Sequence, residues 1–312
     1  MTSPTPIKYL ITGATGGLGQ GVLFTFLSNN VPHNSIAAGV RRSGNPAITA
    51  LGVQERIVDF DASLETLRAA FAGVDTLLFV SSSEIDNAKR AAQHRTVVDA
   101  AKEARVQRVW YTSLGLGGGE GEIELMVVHR QTEEMLRESN LTWTSVREAL
   151  YTDAFPCLVN WYPTDPHQTL HLPCDGSVAF ALRDELAEAT AKLMLKGGHE
   201  NEIIDLTGPT AIPLTTMIST INRTTSRAIT VSFVSDAAYI ALNSANDEGR
   251  KPAAFFRNWV TLLRGIEAGR AAVVSPLMEE ALGRRPLSGL EGLEKLLSDA
   301  GGDYIWHQNY AT

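Results

Sequence analysis

The sequence is poor in cysteine and in positive charge. Cys157 and Cys174 are its two cysteines among 312 residues, and they form neither a C-x-x-C pair nor a zinc-ligand pattern. We therefore expect reduced thiols and no metal site. The 27 Lys and Arg residues are outnumbered by 35 Asp and Glu residues, which gives a formal net charge of −8. Because a negative field repels phosphate backbones, no nucleic-acid partner is expected.

Long apolar runs are also missing. Runs such as residues 77–80 fall far below the roughly 20 residues that cross a bilayer, so no membrane partner is expected. The first eight residues are polar and contain prolines, without the apolar stretch of a signal peptide. These features predict a cytoplasmic protein. With 44% hydrophobic and 20% charged residues, the chain has an ordinary globular composition.

Between residues 7 and 147, short β-branched segments alternate with longer segments of helical period. The predicted strands cover 7–12, 35–40, 54–59, 75–80, 107–113 and 142–147. The predicted helices cover 17–28, 46–51, 63–73, 86–105 and 125–139, and Ser63 is the expected N-cap of the third. This alternation predicts a doubly wound, parallel α/β sheet, with strands one to three on one side and four to six on the other. Ligands of such sheets bind at the carboxyl ends of the strands.

The regular alternation ends after residue 147. Residues 148–175 are rich in Pro, Tyr and Trp and show no clear period. A helix is predicted over 184–196, a strand returning to the main sheet over 202–206, and a further strand over 228–233. We therefore predict a Rossmann domain over 1–150 and a smaller, mostly helical C-terminal lobe over 151–312.

The most informative motif is T-G-A-T-G-G-L-G, which starts at Thr12 and lies between the first strand and the first helix. Gly13 permits the tight turn, Gly16 lets the backbone approach a pyrophosphate, and Gly19 lets helix and strand pack closely. Amide groups of the first helical turn then face the phosphates. The strand and helix on either side indicate a dinucleotide site rather than an empty glycine turn. The expected contacts are Gly13, Thr15, Gly16, Gly17, Leu18 and Gly19.

The end of the second strand decides which dinucleotide binds. NAD sites usually place an acid there to bind the ribose diol. Here the strand ends in Gly39-Val40-Arg41-Arg42. A guanidinium attracts a 2′-phosphate, whereas an acid repels it. We predict NADP(H) as the cofactor and Arg41 as the contact, the alternative being a solvated surface pair.

Two further strand ends are candidate cofactor contacts. Asp59 and Phe60 follow the third strand, where they either lie beside the adenine or, for Asp59, cap the next helix. Ser81, Ser82 and Ser83 follow the fourth strand at the carboxyl edge of the sheet. Hydroxyl groups at that position can reach the nicotinamide ribose, although three serines are also ordinary in a loop.

Several segments together resemble the NmrA-like family of atypical short-chain dehydrogenase/reductases. They are T-G-A-T-G-G-L-G, V-R-R at 40–42, S-S-S-E at 81–84, Q-H-R-T-V-V-D-A-A at 93–101 and Y-T-S-L at 111–114. Within the family, their spacing is most similar to the type-2 NAD(P)H:quinone oxidoreductases. The likeness covers most of the chain and weakens in the C-terminal lobe. It implies the Rossmann fold, NADPH binding at the glycine-rich turn and a small-molecule substrate. It leaves activity open, because the family contains both reductases and redox sensors.

The tyrosine–lysine pair of ordinary short-chain dehydrogenases is missing. None of the seven tyrosines has a lysine four residues later, so reduction of an unactivated ketone would lack its proton donor. Quinones, iminium ions and conjugated enones accept a hydride with less assistance. His129, at the start of the helix after the fifth strand, is the candidate proton donor because an ordinary histidine pKa is near 6.5. The alternative is a packing histidine. Ser113 is expected near the reacting centre.

The region around residue 151 supplies the candidate substrate contacts. Tyr151, Phe155, Trp161 and Tyr162 gather there, and they either stack on a planar acceptor or anchor the lobe. The predicted contacts are Leu114, Tyr151 and Phe155, and the glycine-rich stretch 115–124 is interpreted as a lid.

We therefore predict an NADPH-dependent reductase of a quinone-like or other conjugated, activated small molecule. The alternatives are a non-catalytic NADP(H)-binding redox sensor that acts through a protein partner, and a non-redox biosynthetic enzyme on the same fold. Homodimers are common for such folds, so a homodimer is a further possibility.

Overall fold

The computed structural model describes residues 7–118, 122–245 and 247–310, in two compact units. Unit 1 comprises Met1–Leu114, Val127–Arg147 and Asp184–Asp205, and unit 2 comprises Gly115–Met126, Glu148–Arg183 and Leu206–Thr312. A single boundary near residue 150 does not describe this division, because the chain leaves unit 1 and returns to it twice. The two units are also similar in size, so unit 2 is not a smaller lobe. Residues 119–121 of the stretch interpreted as a lid lie outside the described residues.

The described strands form one seven-stranded sheet and two sheets of two strands each. They are β1 (Ile7–Ile11), β2 (Ile36–Val40), β3 (Gln54–Ile57), β4 (Val74–Phe79), β5 (Arg108–Leu114), β6 (Thr142–Glu148), β7 (Thr169–Leu172), β8 (Ser177–Val178), β9 (Glu202–Leu206), β10 (Ile212–Pro213) and β11 (Thr230–Phe233). The main sheet is parallel and has the order β3-β2-β1-β4-β5-β6-β9. This order confirms the predicted doubly wound sheet. Its residues fall in unit 1 except for the last residue of β6 and of β9.

The helices alternate with the strands up to residue 147, as the sequence predicts, and further helices follow beyond it. They are α1 (Gly17–Ser28), α2 (Pro46–Ala50), α3 (Leu64–Ala70), α4 (Asn87–Glu103), α5 (Glu124–Glu138), α6 (Phe155–Val159), α7 (Arg183–Lys196), α8 (Leu214–Thr225), α9 (Asp236–Ala245), α10 (Ala253–Glu267), α11 (Leu277–Leu282) and α12 (Gly289–Asp299). Ser63 caps α3 as predicted, since its side chain accepts a hydrogen bond from the Thr66 N–H. Within the described residues, no helix is long and apolar enough to cross a membrane.

The core of unit 1 lies between the sheet and its helices. Every residue of β2 is buried, which is the pattern of a parallel strand covered on both faces. Leu10 and Leu77 from the sheet cluster with Phe71, Val97 and Leu136 from the helical layer. Each such side chain contributes roughly 1.5–3 kcal/mol by leaving water. This burial fixes the strand ends, and with them the loops that carry the candidate site.

Unit 2 holds two small sheets and a buried ion pair. β8 pairs with β10 in the antiparallel sense and β7 with β11 in the parallel sense. The strand β7 and the helix α6 lie in the segment 148–175, where the sequence showed no period because both elements are only a few residues long. Lys251 lies between α9 and α10, and its Nζ is 3.1 Å from Asp247 Oδ1 with both side chains almost fully buried. The same Nζ donates to the Asn309 carbonyl (2.8 Å), which ties down the C-terminal segment.

Candidate functional site

The turn between β1 and α1 is held in a defined conformation. Gly13 has a φ of +59°, a left-handed value that glycine adopts without strain. The Gly16 N–H donates to the Gly13 carbonyl (2.9 Å) and closes the turn. Thr12 Oγ1 donates to the Leu78 carbonyl (3.0 Å) and accepts from the Val80 N–H (2.9 Å). The ends of β1 and β4 are thereby fixed to each other beside the turn.

Two glycines allow this turn to pack closely on its surroundings. A Cβ on Gly19 would lie 2.4 Å from the Gly13 carbonyl oxygen, so the helix can approach the turn only with glycine there. Gly39 likewise allows β2 to lie close to the end of β1, since a Cβ on Gly39 would lie 3.0 Å from the Ile11 carbonyl oxygen. The Ala14 N–H donates to the Gly39 carbonyl (3.3 Å) across this contact. The sequence predicted this close-packing role for Gly19 but not for Gly39.

The first turn of α1 presents unpaired amide groups. Gly16 is the N-cap and makes no side-chain cap, and no acidic residue lies in the first turn. The first intrahelical bond runs from the Gln20 N–H to the Gly16 carbonyl (2.9 Å), so the preceding N–H groups lack an intrahelical partner. Thr15 and Gly16 are exposed and Gly17 is half-exposed, whereas the Leu18 side chain is buried and offers only its backbone. Such a turn suits an anion.

Arg41 follows β2 directly, at the carboxyl edge of the sheet. Its side chain is exposed and has no ion pair or hydrogen bond among the described residues. Arg42 beside it is exposed as well. A guanidinium without an acidic partner is free to bind an anion at this edge.

Asp59 and Phe60 follow β3. Asp59 accepts a hydrogen bond from the Asp61 N–H (3.1 Å) in a local turn. The alternative that Asp59 caps a helix is wrong, because α3 is capped by Ser63. The Phe60 ring packs edge-on against Phe79 at 5.5 Å and is only partly covered by the core of unit 1.

Ser81 contacts a buried arginine. Arg90 in α4 is 7% exposed, and its Nη2 donates to Ser81 Oγ (2.6 Å) and to His129 Nε2 (2.9 Å). No carboxylate pairs with Arg90 among the described residues, and its Nε is buried without a hydrogen-bond partner. Burial lowers the pKa of this guanidinium. A buried cation therefore lies behind the end of β4.

Ser82 is held in place by two side chains of α4. Its hydroxyl donates to Gln93 Oε1 (2.6 Å) and its N–H donates to His94 Nε2 (3.1 Å). Ser83 is exposed. The backbone of the serine loop is thus fixed, while Ser83 keeps its hydroxyl in solvent.

Both histidines of this cluster are neutral. Because Arg90 donates to His129 Nε2, the proton of that ring lies on Nδ1, which contacts the Tyr111 hydroxyl (2.9 Å). Burial, then Arg90, lower the pKa of His129 well below its usual value. Burial lowers the pKa of His94 to about 3, and its Nδ1 contacts Thr132 Oγ1 (2.7 Å). The expected pKa near 6.5 for His129 is therefore wrong, since the ring is enclosed beside a cation.

Ser113 is bonded to a buried carboxylate. Glu133 in α5 is 3% exposed, and its Oε1 accepts from Ser113 Oγ (2.8 Å) and Ser145 Oγ (2.9 Å). Arg147 donates to the same group through Nε (2.9 Å) and Nη2 (2.7 Å). Glu133 is therefore enclosed and fully paired, whereas the neighbouring Glu134 is exposed.

The predicted substrate residues differ in exposure. Leu114 ends β5 and is half-buried. Phe155 has no exposed surface, because it packs against Trp161 (5.1 Å) and Tyr304 (5.5 Å) within unit 2. Phe155 therefore belongs to the core of unit 2 and offers no surface to a ligand, which favours the anchoring alternative for this ring. Tyr151 is half-buried, and its hydroxyl donates to Glu148 Oε2 (2.5 Å).

Sequence comparisons with known proteins identify relatives that match nearly the whole chain. A family profile described as NAD(P)H-binding matches residues 13–170. An NmrA-like family domain-containing oxidoreductase of Aspergillus flavus is 40% identical, over 98% of this chain and 99% of its own length. This chain belongs to the NmrA-like family of NAD(P)H-binding oxidoreductases.

Solved structures of similar proteins agree with this membership. The NADPH-dependent quinone oxidoreductase of Escherichia coli, complexed with NADPH, has a TM-score of 0.79 at 30% identity, and the match covers 93% of this chain and 99% of that one. The triphenylmethane reductase of Citrobacter sp., complexed with NADP(H), has a TM-score of 0.79 at 29% identity with the same coverage. The resemblance inferred from the motifs is therefore confirmed.

The residues present in this NmrA-like chain fit the cofactor that the family binds. The exposed backbone at Gly16 and the unpaired amides of α1 form a cradle that a larger side chain would fill. Arg41 adds an unpaired cation at the next strand end.

Sequence reasoning missed three buried charged residues, which are Arg90 and Glu133 in unit 1 and Glu148 in unit 2. A signal was present for the first two. Arg90 precedes buried His94 by four positions, and Glu133 follows buried His129 by four, so each lies on the inward face of its helix. The partners that make such burial tolerable come from distant parts of the sequence and were not visible in it.

Proposed function

We propose that this protein is an NADPH-dependent reductase that transfers a hydride to a quinone-like or other conjugated, electron-poor small molecule. The observation that carries the proposal is the full-length similarity to two reductases whose names give conjugated acceptors, a quinone and a triphenylmethane. Quinones and triphenylmethane dyes differ in shape and share an electron-poor, delocalised acceptor. The missing tyrosine–lysine pair fits such acceptors, because they need less help from an acid.

The glycine-rich turn and Arg41 are proposed to hold the cofactor. The N–H groups at the start of α1 would bind the pyrophosphate, and Arg41 would bind the 2′-phosphate. Ser81, Ser82 and Ser83 would face the nicotinamide ribose, with Asp59 and Phe60 on the adenine side. Bound NADPH would supply the hydride from C4 of its nicotinamide ring.

His129 and Ser113 are proposed to organise this site rather than to supply protons. His129 is neutral and bonded at both ring nitrogens, so it has no proton to release near neutral pH. The Ser113 hydroxyl donates to Glu133, which fixes its orientation. Both residues thereby set the ends of β4 and β5 against which the cofactor and the acceptor would lie.

Arg41→Ala should weaken NADPH binding and leave NADH binding unchanged. Loss of a charge-assisted hydrogen bond costs about 1.5–3 kcal/mol, so the Kd for NADPH should rise roughly 10- to 100-fold. Fluorescence titration of both cofactors measures the effect, and Arg42→Ala is the matched control. Equal losses in the two variants, or an unchanged NADPH affinity in Arg41→Ala, would refute the assignment.

Steady-state NADPH oxidation with a panel of quinones, enones and iminium ions tests the function itself. Saturable oxidation with at least one acceptor is the expected result. Tight NADPH binding with no turnover across the panel would contradict the proposal and would favour a cofactor sensor or a non-redox enzyme.

A further inference from the structure

Arg90 places a buried cation in unit 1. The residue is 7% exposed, and its Nη2 donates to Ser81 Oγ (2.6 Å) and to His129 Nε2 (2.9 Å). Among the described residues, no carboxylate pairs with the guanidinium, and its Nε is buried without a hydrogen-bond partner. Burial lowers its pKa, but arginine keeps its proton in proteins. A full positive charge therefore lies inside this unit.

The titratable groups that contact Arg90, directly or through one ring, are neutral. Burial lowers the pKa of His94 to about 3 and lowers that of His129 well below its usual value. Burial also raises the pKa of Tyr111, whose hydroxyl contacts His129, to about 12. Near neutral pH none of these groups carries a charge, so the cluster as a whole carries the single charge of the guanidinium.

Other charged groups of unit 1 near this cluster are bonded to one another. Arg147 donates twice to Glu133. Lys89, which is exposed on α4, lies 2.8 Å from Glu84 and 3.5 Å from Asp61. Salt screens exposed charges such as Lys89 far more than it screens a buried one. The guanidinium inside the unit is therefore the charge whose field persists at physiological ionic strength.

The strand order relates this cation to the proposed cofactor site. The proposed 2′-phosphate contact, Arg41, follows β2 on one side of β1, so the nicotinamide half of a dinucleotide would fall on the other side, at β4 and β5. A Cβ on Gly13 would lie 3.3 Å from the Val80 Cβ, so the glycine-rich turn contacts the end of β4. Ser81 comes next and accepts the hydrogen bond from Arg90. All of these residues lie in unit 1.

We propose that Arg90 makes the cofactor site selective for the reduced form of the cofactor, NADPH over NADP⁺. The inference rests on the proposed function, from which it takes the position of the nicotinamide. The two forms share their phosphates, and they differ by one positive charge on the nicotinamide ring. A fixed cation behind Ser81 repels the charged ring of NADP⁺ and does not repel the neutral ring of NADPH. Oxidised cofactor is thereby released more readily and replaced by NADPH.

Calorimetric titration of the cofactor-free protein with NADPH and with NADP⁺ tests this selectivity without any acceptor. The wild type should bind NADPH at least about 10-fold more tightly than NADP⁺. Arg90→Gln keeps a hydrogen-bond donor and removes the charge, so the preference should fall roughly 10-fold, or about 1.4 kcal/mol. Arg90→Lys keeps a cation and should stay within about threefold of the wild-type preference. Arg95→Gln, an exposed position on the same helix, is the matched control and should leave the preference unchanged.

The salt dependence of the wild type supplies a second readout that needs no variant. Raising NaCl from about 0.05 to 0.5 M should weaken the binding of both forms, because it screens exposed phosphate contacts such as Arg41. The ratio of the two Kd values should stay within about twofold, because the charge that sets it is buried. The same ratio fixes the midpoint potential of the bound couple, which rises by about 30 mV for each tenfold preference for NADPH.

The outcomes separate this inference from the proposed function. If the acceptor panel gives no turnover, the proposed function fails, and the titrations still decide the role of Arg90. Equal affinity of the wild type for NADPH and NADP⁺ would overturn the inference alone. A preference that disappears at high salt, or that survives in Arg90→Gln, would do the same. An equal loss in Arg90→Lys and Arg90→Gln would assign the effect to lost hydrogen bonds and would also contradict a role for the charge.

Discussion

Gly16→Val should bind NADPH at least about 100-fold more weakly than the wild type and should still fold. Gly16 is the N-cap of α1, and its backbone is exposed beside the unpaired amides of the first turn. A valine side chain at this position would occupy the space that a pyrophosphate needs. Loss of two charge-assisted hydrogen bonds at about 1.5–3 kcal/mol each accounts for an effect of this size.

The fold should tolerate this change because the added atoms point away from the core. A Cβ on Gly16 would meet only the Gly13 carbonyl oxygen, at 3.3 Å, whereas a Cβ on Gly19 would lie 2.4 Å from the same atom. Gly19→Ala is therefore expected to lose stability as well as affinity. Gly118→Val is a matched control, since a Cβ there meets nothing within 4 Å among the described residues. Calorimetric NADPH affinity that is equal in Gly16→Val and the control would contradict the assignment.

Lys251→Met should destabilise the protein by about 3–5 kcal/mol, the usual cost of breaking a buried ion pair. The Lys251 and Asp247 side chains are 3% and 1% exposed, so the variant leaves a carboxylate without its cation in the interior. It also removes the bonds from Nζ to the Asn309 carbonyl (2.8 Å) and Oδ1 (2.9 Å). Urea unfolding measures the loss.

A surface pair of the same chemistry provides the control. Lys295 and Asp299 are also four residues apart, and their side chains are 57% and 65% exposed. Lys295→Met should change stability by less than about 1 kcal/mol. The double variant Asp247→Asn/Lys251→Met should recover part of the loss, because it removes the stranded charge. Similar small effects at both sites would show that the buried pair contributes little.

The sequence was sufficient to predict the parts of the fold that depend on local pattern. Strand β1, the turn after it and helix α1 follow from a short apolar run, three spaced glycines and a helical period. The strand order followed as well, because right-handed crossovers leave few arrangements of alternating strands and helices. The position of Arg41 could be predicted for a similar reason, since its place after β2 is fixed by the strand itself.

The partners of the buried charged residues could not be predicted. Arg90, Glu133 and Glu148 are charged residues on ordinary elements, and charge in a sequence indicates solvent unless the partner is known. Arg147, which pairs with Glu133, is 14 positions away along the chain, and His129, which contacts Arg90, is 39 positions away. The expectation of an ordinary pKa for His129 was wrong for the same reason, because burial and a neighbouring cation are tertiary properties.

The division of the chain into two units could also be predicted only in part from local sequence pattern. Local pattern identified the helix near residues 184–196 and the strand at 202–206, and it correctly suggested that the strand joins the main sheet. It did not indicate that the helix belongs with the first unit. Gly21 in α1 explains that placement, since a Cβ there would lie 2.6 Å from the Ala187 Cβ in α7.

A single-turnover experiment tests the central claim most directly. Protein loaded with one equivalent of NADPH is mixed with a simple quinone without oxygen, and the loss of nicotinamide and quinone absorbance is followed together. The account predicts that one quinone is reduced for each NADPH oxidised, and that NADPH deuterated at the transferred C4 position reacts more slowly. NADPH that stays bound and is oxidised no faster than in a protein-free control, for quinones and cationic dyes alike, would contradict the account.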